Sequence, residues 1–139
     1  MSMLDIFDVA GSAMAAQRVR LNTTASNLAN ADSVAEDPAD TYRARHPVFA
    51  TLLSDASNHS ASAATKVQVQ GIVESEAPLQ QRYEPDHPYA DEAGYVSYPN
   101  VSAVSEMANM ISASRAFQLN VEVMNTAKTL AERLLTLGQ

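Results

Sequence analysis

The sequence has no cysteine and no tryptophan, only 6% aromatic residues, and four glycines among 139 positions. Each scarcity removes a class of function. Without cysteine there is no disulfide framework, no thiolate ligand for zinc or haem, and no thiol nucleophile. Glycines at 11, 71, 94 and 138 are too dispersed for a phosphate-cradling loop, and no Gly-x-Ser-x-Gly elbow is present. No run approaches the ~18 consecutive apolar residues of a membrane span. The opening Met1-Ser2-Met3-Leu4-Asp5 carries acid where a cleavable secretory signal is basic, so export of such a chain needs another route. His46, His59 and His87 lack metal-ligand spacing, and Asp86, Asp91 and Glu92 miss the spacing of a calcium loop because Pro88 occupies a ligand position. Catalytic residues, cofactors, metals and a small-molecule substrate are therefore not expected.

Charge and proline divide the chain in the same places. Residues 1–31 balance Asp5 and Asp8 against Arg18 and Arg20, and residues 101–139 balance three acids against three bases. The whole net charge of −7 lies in residues 32–100, as do all six prolines and all five tyrosines. An interior proline costs about 3 kcal/mol in a helix, so long helices belong outside that window. Neutral arms can pack side by side, whereas the acidic middle favours water. No basic patch is offered to a phosphate backbone, which argues against nucleic acid.

The first arm, 1–31, starts with Ser2 as an N-cap and ends near Asn30 and Ala31. Phe7, Met14, Leu21 and Leu28 recur every seven residues, with Ala10, Gln17 and Thr24 between them, the pattern of a narrow coiled-coil stripe. The second arm, 101–139, is capped by Asn100 or Ser102 and stops at Gly138. At 100° per residue, Met110, Phe117, Val121 and Met124 share one face with Met107, Ile111 and Leu135. Leu119, Val123, Leu130 and Leu134 form a second, nearly opposite stripe with Leu137. A helix with one partner needs one stripe, so the second is expected to meet another subunit. In the middle, 66–70 reads as a strand with an optional continuation through Ile72 and Val73, 80–83 and 95–98 read as further short strands, 42–53 is extended or helical with extension favoured at Pro47, and 54–65 gives little reason to order. The expected fold is mainly α: the terminal helices pair as an antiparallel, coiled-coil-like hairpin around a small irregular β/loop region.

Asn is a poor helix-interior residue, so Asn22, Asn27 and Asn30 stand out. Asn30 suits a helix end; Asn27 suits a polar residue that sets register in an assembly helix. The run Ala25-Ser26-Asn27-Leu28-Ala29-Asn30-Ala31-Asp32-Ser33 resembles the N-terminal signature of bacterial flagellar rod, hook and hook-associated proteins. Ser112 to Lys128, containing Asn120 and Asn125, resembles their closing helix, and the opening Ile6 to Met14 points toward the proximal-rod members of the basal-body rod family. The resemblance implies a structural subunit of a hollow, torque-transmitting tube in the periplasm, exported by the flagellar type III apparatus without losing a signal peptide. Its implied partners are other copies of itself, other rod proteins, the inner-membrane ring and its adapter protein. It also implies arms that gain order on docking. The alternative is a helical-hairpin chaperone or adaptor of a secretion system. Phe7, Met14, Leu21 and Leu28 are assigned to a seam against Met110, Phe117, Val121 and Met124. Leu119, Val123, Leu130 and Leu134 are assigned to an inter-subunit face.

Overall fold

The computed structural model describes residues 3–53 and 65–137. Helix α1 spans Met3–Ala29 and helix α2 spans Ala103–Leu137. Between them lie β1 (Arg45–Leu53), β2 (Thr65–Glu74), β3 (Gln80–Tyr83) and β4 (Tyr95–Tyr98). No proline lies inside either helix, and the strands occupy the proline-bearing window. Ser2 and residues 54–64 fall outside the described residues, so the N-cap and the unordered stretch assigned there are not addressed.

Local signals explain the helix ends. Asn30 closes α1: its amide nitrogen Nδ2 donates to the Ser26 carbonyl at 2.8 Å, satisfying a terminal acceptor. Ser102, rather than Asn100, caps α2, with its hydroxyl accepting from the Ser105 amide at 3.4 Å. Asn100 is engaged elsewhere. A 35-residue helix is about 52 Å long, some 12 Å longer than α1.

The helices pack against each other. Arg20 donates to Asn109 at 3.1 Å and Asn27 donates to Glu106 at 3.2 Å. Partner numbers fall on α2 as they rise on α1, so the helices run antiparallel where they bond. The expectation of a mainly α chain with helices at both ends holds, and the middle is more regular than expected. β1 and β2 form an antiparallel ribbon with a bulge after Val48, and β3 and β4 form a second antiparallel pair. Residues 42–53 resolve into strand from Arg45 onward, as Pro47 favours.

The ribbon packs on α1, with Ser12 accepting from the Val67 amide at 3.2 Å and Asp8 pairing with Lys66 at 2.7 Å. The smaller sheet is held at its edge by Arg82, which faces Asp32 at 3.8 Å and lies 4.2 Å from the Tyr98 ring centroid. Gly94 closes the turn between its strands at φ +83, where a Cβ would meet Tyr83 Cε2 at 2.9 Å.

The core is thin and built from small side chains. Ala10, Ala16, Ala44, Ala113 and Ala127 are buried, with Val96, Tyr98 and Val101 as the larger members. Among the described residues, against those three large apolar side chains, nine on α2 alone are exposed. A chain with more large apolar surface outside than inside presents that surface to something else.

Candidate assembly interface

Two asparagines join the arms to the ribbon. Asn27 is 1% exposed and its side-chain amide is fully used. Its Nδ2 donates to the Arg45 carbonyl at 2.8 Å and to the Glu106 carboxylate at 3.2 Å. Its Oδ1 accepts from the Arg45 amide at 2.9 Å and from the Tyr42 hydroxyl at 2.9 Å. Donating to and accepting from one backbone residue, the side chain stands in for a neighbouring strand where β1 begins. Asn100, just before α2, bridges the two sides of the ribbon one residue earlier. Its Oδ1 accepts from the Ala44 amide at 2.7 Å, and its Nδ2 donates to the carbonyls of Ala77 at 2.8 Å and Ser75 at 3.3 Å. The ribbon root at Ala44 and Arg45 is therefore held from both arms. Polar pairing of this kind leaves no buried group unsatisfied and fixes one geometry.

Sequence reading singled out Asn27 and offered Asn100 only as a cap. Glu106, at 4% exposure, carried no sequence signal of burial, since a charged residue in a first helical turn ordinarily faces solvent.

Along α2 the buried and half-buried positions include an unbroken alternation of four and three: Glu106, Met110, Ala113, Phe117, Asn120, Met124, Ala127 and Ala131. This 3.5-residue period is the one that keeps two helices in continuous contact. Met110, Phe117 and Met124, assigned to the intramolecular seam, sit in that run half-buried; Val121 lies just outside it and is exposed. On α1, Arg20 and Asn27 bond to α2, and Ile6 lines a groove with α2 residues. Phe7, Met14, Leu21 and Leu28 are each half-buried, one helical position beyond Ile6, Arg20 and Asn27, while Ala10 and Thr24 are fully buried. On α1, the Gln17 Oε1 is buried without a hydrogen-bond partner.

The residues assigned to the second stripe are open to solvent. Leu119, Val123, Leu130 and Leu134 range from 47 to 63% exposed. Ile6, Leu119, Val123, Ala127 and Leu130 line a largely apolar groove of about 370 Å³ where α1 begins. Asn120 donates to the Ala116 carbonyl at 2.7 Å within its own helix, and Asn125 is exposed on the rim of a neighbouring depression with Leu130 and Arg133. His46 is exposed, His87 accepts from the Tyr89 amide, and Asp91 caps its own turn through the amides of Ala93 and Tyr95. Among the described residues, no three His, Asp or Glu side chains converge as a metal site.

Known proteins match this sequence from end to end. Residues 7–35 match the family model for flagella basal body rod protein, and residues 92–137 match that for the flagellar basal body rod FlgEFG protein C-terminal region. Flagellar basal-body rod protein FlgC of Salmonella typhimurium is 51% identical over 139 residues, covering 100% of both chains. The protein of the same description from Yersinia enterocolitica is 48% identical over the same span, and that from Aquifex aeolicus is 38% identical over 136 residues, 94% of this chain and 96% of its own. All three carry the same description, flagellar basal-body rod protein. The chain belongs to the flagellar basal-body rod protein family.

Proposed function

We infer that this chain is a structural subunit of the flagellar basal-body rod, working by assembly with other rod and basal-body proteins and catalysing no reaction. The observation that carries this reading is the outward face of α2, whose large apolar side chains are left uncovered by the chain's own fold. A rod transmits torque, so its contacts must resist shear, and helices buried on two faces do so better than loops. The 4–3 alternation on α2 supports a coiled-coil-like seam with α1, in which Phe7, Met14, Leu21 and Leu28 approach Met110, Phe117, Val121 and Met124. Leu119, Val123, Leu130 and Leu134 then face a neighbouring subunit. Asn27, Leu28, Asn30, Asn120 and Asn125 belong to the shared motifs, with Asn27 setting the register of the arms. No observation favours the secretion-adaptor alternative.

The finer reading places the chain in the proximal rod, within the periplasm, next to the inner-membrane ring and its adapter protein. Its route is the flagellar type III export apparatus, with no signal peptide removed. Export through a narrow channel suits a chain without disulfides and with a thin core. The distal ends of the arms, where α2 outruns α1, gain their full order on docking, since ordering entropy of ~1–2 kcal/mol per residue is offset only when neighbours cover them. Hydrogen exchange of the free chain should show fast exchange over 125–137 beside protection at 103–113; uniform protection along α2 would remove the coupling of order to docking. The rod assignment itself is tested by deleting the gene in a motile host and imaging purified basal bodies. Rings without a rod, and no swimming, are expected. Intact rods with normal swimming would overturn it.

A further inference from the structure

Arg115 interrupts the apolar outer face of α2. It lies one turn from Ile111 and one turn from Leu119, and with Ala108, Ser112 and Ala116 these residues line a shallow groove of about 470 Å³. Ile111 and Leu119 are each more than half exposed. Arg115 is exposed too, and among the described residues no carboxylate lies within ion-pair distance of it. A partner that covered Ile111 and Leu119 with apolar surface alone would bury a guanidinium without an anion, an arrangement strongly disfavoured. The occupant of this groove must bring apolar or aromatic area together with a carboxylate.

We propose that the occupant is the acidic tyrosine turn of a second copy of this chain, the segment from Tyr83 to Tyr95. The proposal rests on the rod-subunit reading and names a partner for its α2 face. Tyr83, Tyr89 and Tyr95 are 65%, 44% and 43% exposed, and Asp86 and Glu92 between them are exposed with no cation beside them among the described residues. Arginine over a tyrosine ring is a contact this fold already makes twice, Arg82 at 4.2 Å from the Tyr98 centroid and Arg45 at 5.4 Å from that of Tyr42. The acidic stretch at residues 35–40 has no aromatic or large apolar side chain and cannot cover Ile111 and Leu119. Within one chain, β3 and β4 do not pack on α2, so the two surfaces are separate patches. A contact between two different patches of identical subunits is heterologous, and it propagates along an assembly instead of closing into a dimer. Charge falls into place as well: the neutral arm supplies the cation and the acidic middle supplies the anion.

The natural absence of cysteine makes the test direct. Two full-length chains of different tag length are co-produced in a cell lacking the native gene, one with Arg115→Cys and the other with Glu92→Cys or Asp86→Cys. Rods are purified, oxidised and resolved by non-reducing electrophoresis. The mixed dimer is expected at about ten times the yield obtained with Asp37→Cys in place of the turn cysteine, reflecting the higher effective concentration of facing thiols. Ser112→Cys, which retains the arginine, substitutes for Arg115→Cys should that chain fail to enter rods. Rods that contain both chains but give no excess over the Asp37→Cys control overturn the proposal and leave the rod assignment standing. Rods that form in the same cell when neither chain is supplied overturn the assignment itself.

Discussion

Replacing Asn27 separates the three elements that meet at its side chain. In Asn27→Ala the Arg45 amide and carbonyl lose their partners, the Glu106 carboxylate loses a donor, and the Tyr42 hydroxyl is left with Ser26 at 3.3 Å. A buried polar group stripped of its partner costs about 1–3 kcal/mol, and with two backbone groups orphaned and water entering the vacated volume we expect a loss of about 3 kcal/mol. That is a large share of the ~5–15 kcal/mol that holds a domain together. In urea, with an m-value of about 1.5 kcal/mol/M, the midpoint followed by far-ultraviolet circular dichroism falls by about 2 M. Asn27→Asp is the sharper probe. It keeps both acceptors but loses both donors and sets a second carboxylate near 3.2 Å from that of Glu106. Its loss at neutral pH exceeds that of Asn27→Ala, and adding Glu106→Gln to it restores about 1–2 kcal/mol by returning a donor to the pair. Strict additivity of Asn27→Asp and Glu106→Gln, or an Asn27→Ala chain within about 0.5 kcal/mol of the parent, would refute the three-way joint.

Other perturbations read other parts of the molecule. Leu130→Glu places a charge in the apolar groove beside Ile6 and Val123; rod growth and swarming should fail while the chain is still made and exported, which immunoblots of cell and culture fractions check. Gly94→Ala drives a Cβ into Tyr83 at 2.9 Å and Pro85 at 3.3 Å from a positive-φ position, so thermal stability of the β3–β4 turn drops by about 1–2 kcal/mol, seen as an earlier loss of near-ultraviolet tyrosine signal. Burial raises the Tyr98 hydroxyl above the usual 10.0, aided by its hydrogen bond to Glu84 and the charge of that carboxylate, and opposed by Arg82. A raised folded-state value means the stabilisation is complete below pH 10 and is lost as pH rises through the folded-state value. In an alkaline absorbance titration the last tyrosine to ionise should vanish in Tyr98→Phe; an unchanged curve would remove that assignment.

How much of this was legible beforehand depended on the range of the interaction. Both helices, β2, β3, β4 and the end of α1 near Asn30 follow from signals within a few residues: proline exclusion, alternation of apolar and polar positions, and a capping amide. The two opposing apolar stripes of α2 were equally plain, because 100° per residue fixes which side chains share a face whatever the surroundings. The family motifs likewise lie in the arms, where the chain is uninterrupted.

Tertiary structure decided what each face meets. The seven-residue recurrence of Phe7, Met14, Leu21 and Leu28 marked a stripe on α1, and among the described residues side-chain bonds to α2 come from Arg20 and Asn27 beside it, while the ribbon packs on the same helix. Burial of Glu106 against Asn27, and the bond that Asn100 accepts from the Ala44 amide, depend on partners 79 and 56 residues distant. Side-chain amides have four hydrogen-bonding sites and no preferred secondary structure to reveal which will be used. The sequence alone determined two helical arms, a stranded middle and an unspent apolar face, since these arise from local sterics and periodicity. Only the fold determined that two asparagines bind the ribbon to both arms, since that arrangement exists only once distant segments meet.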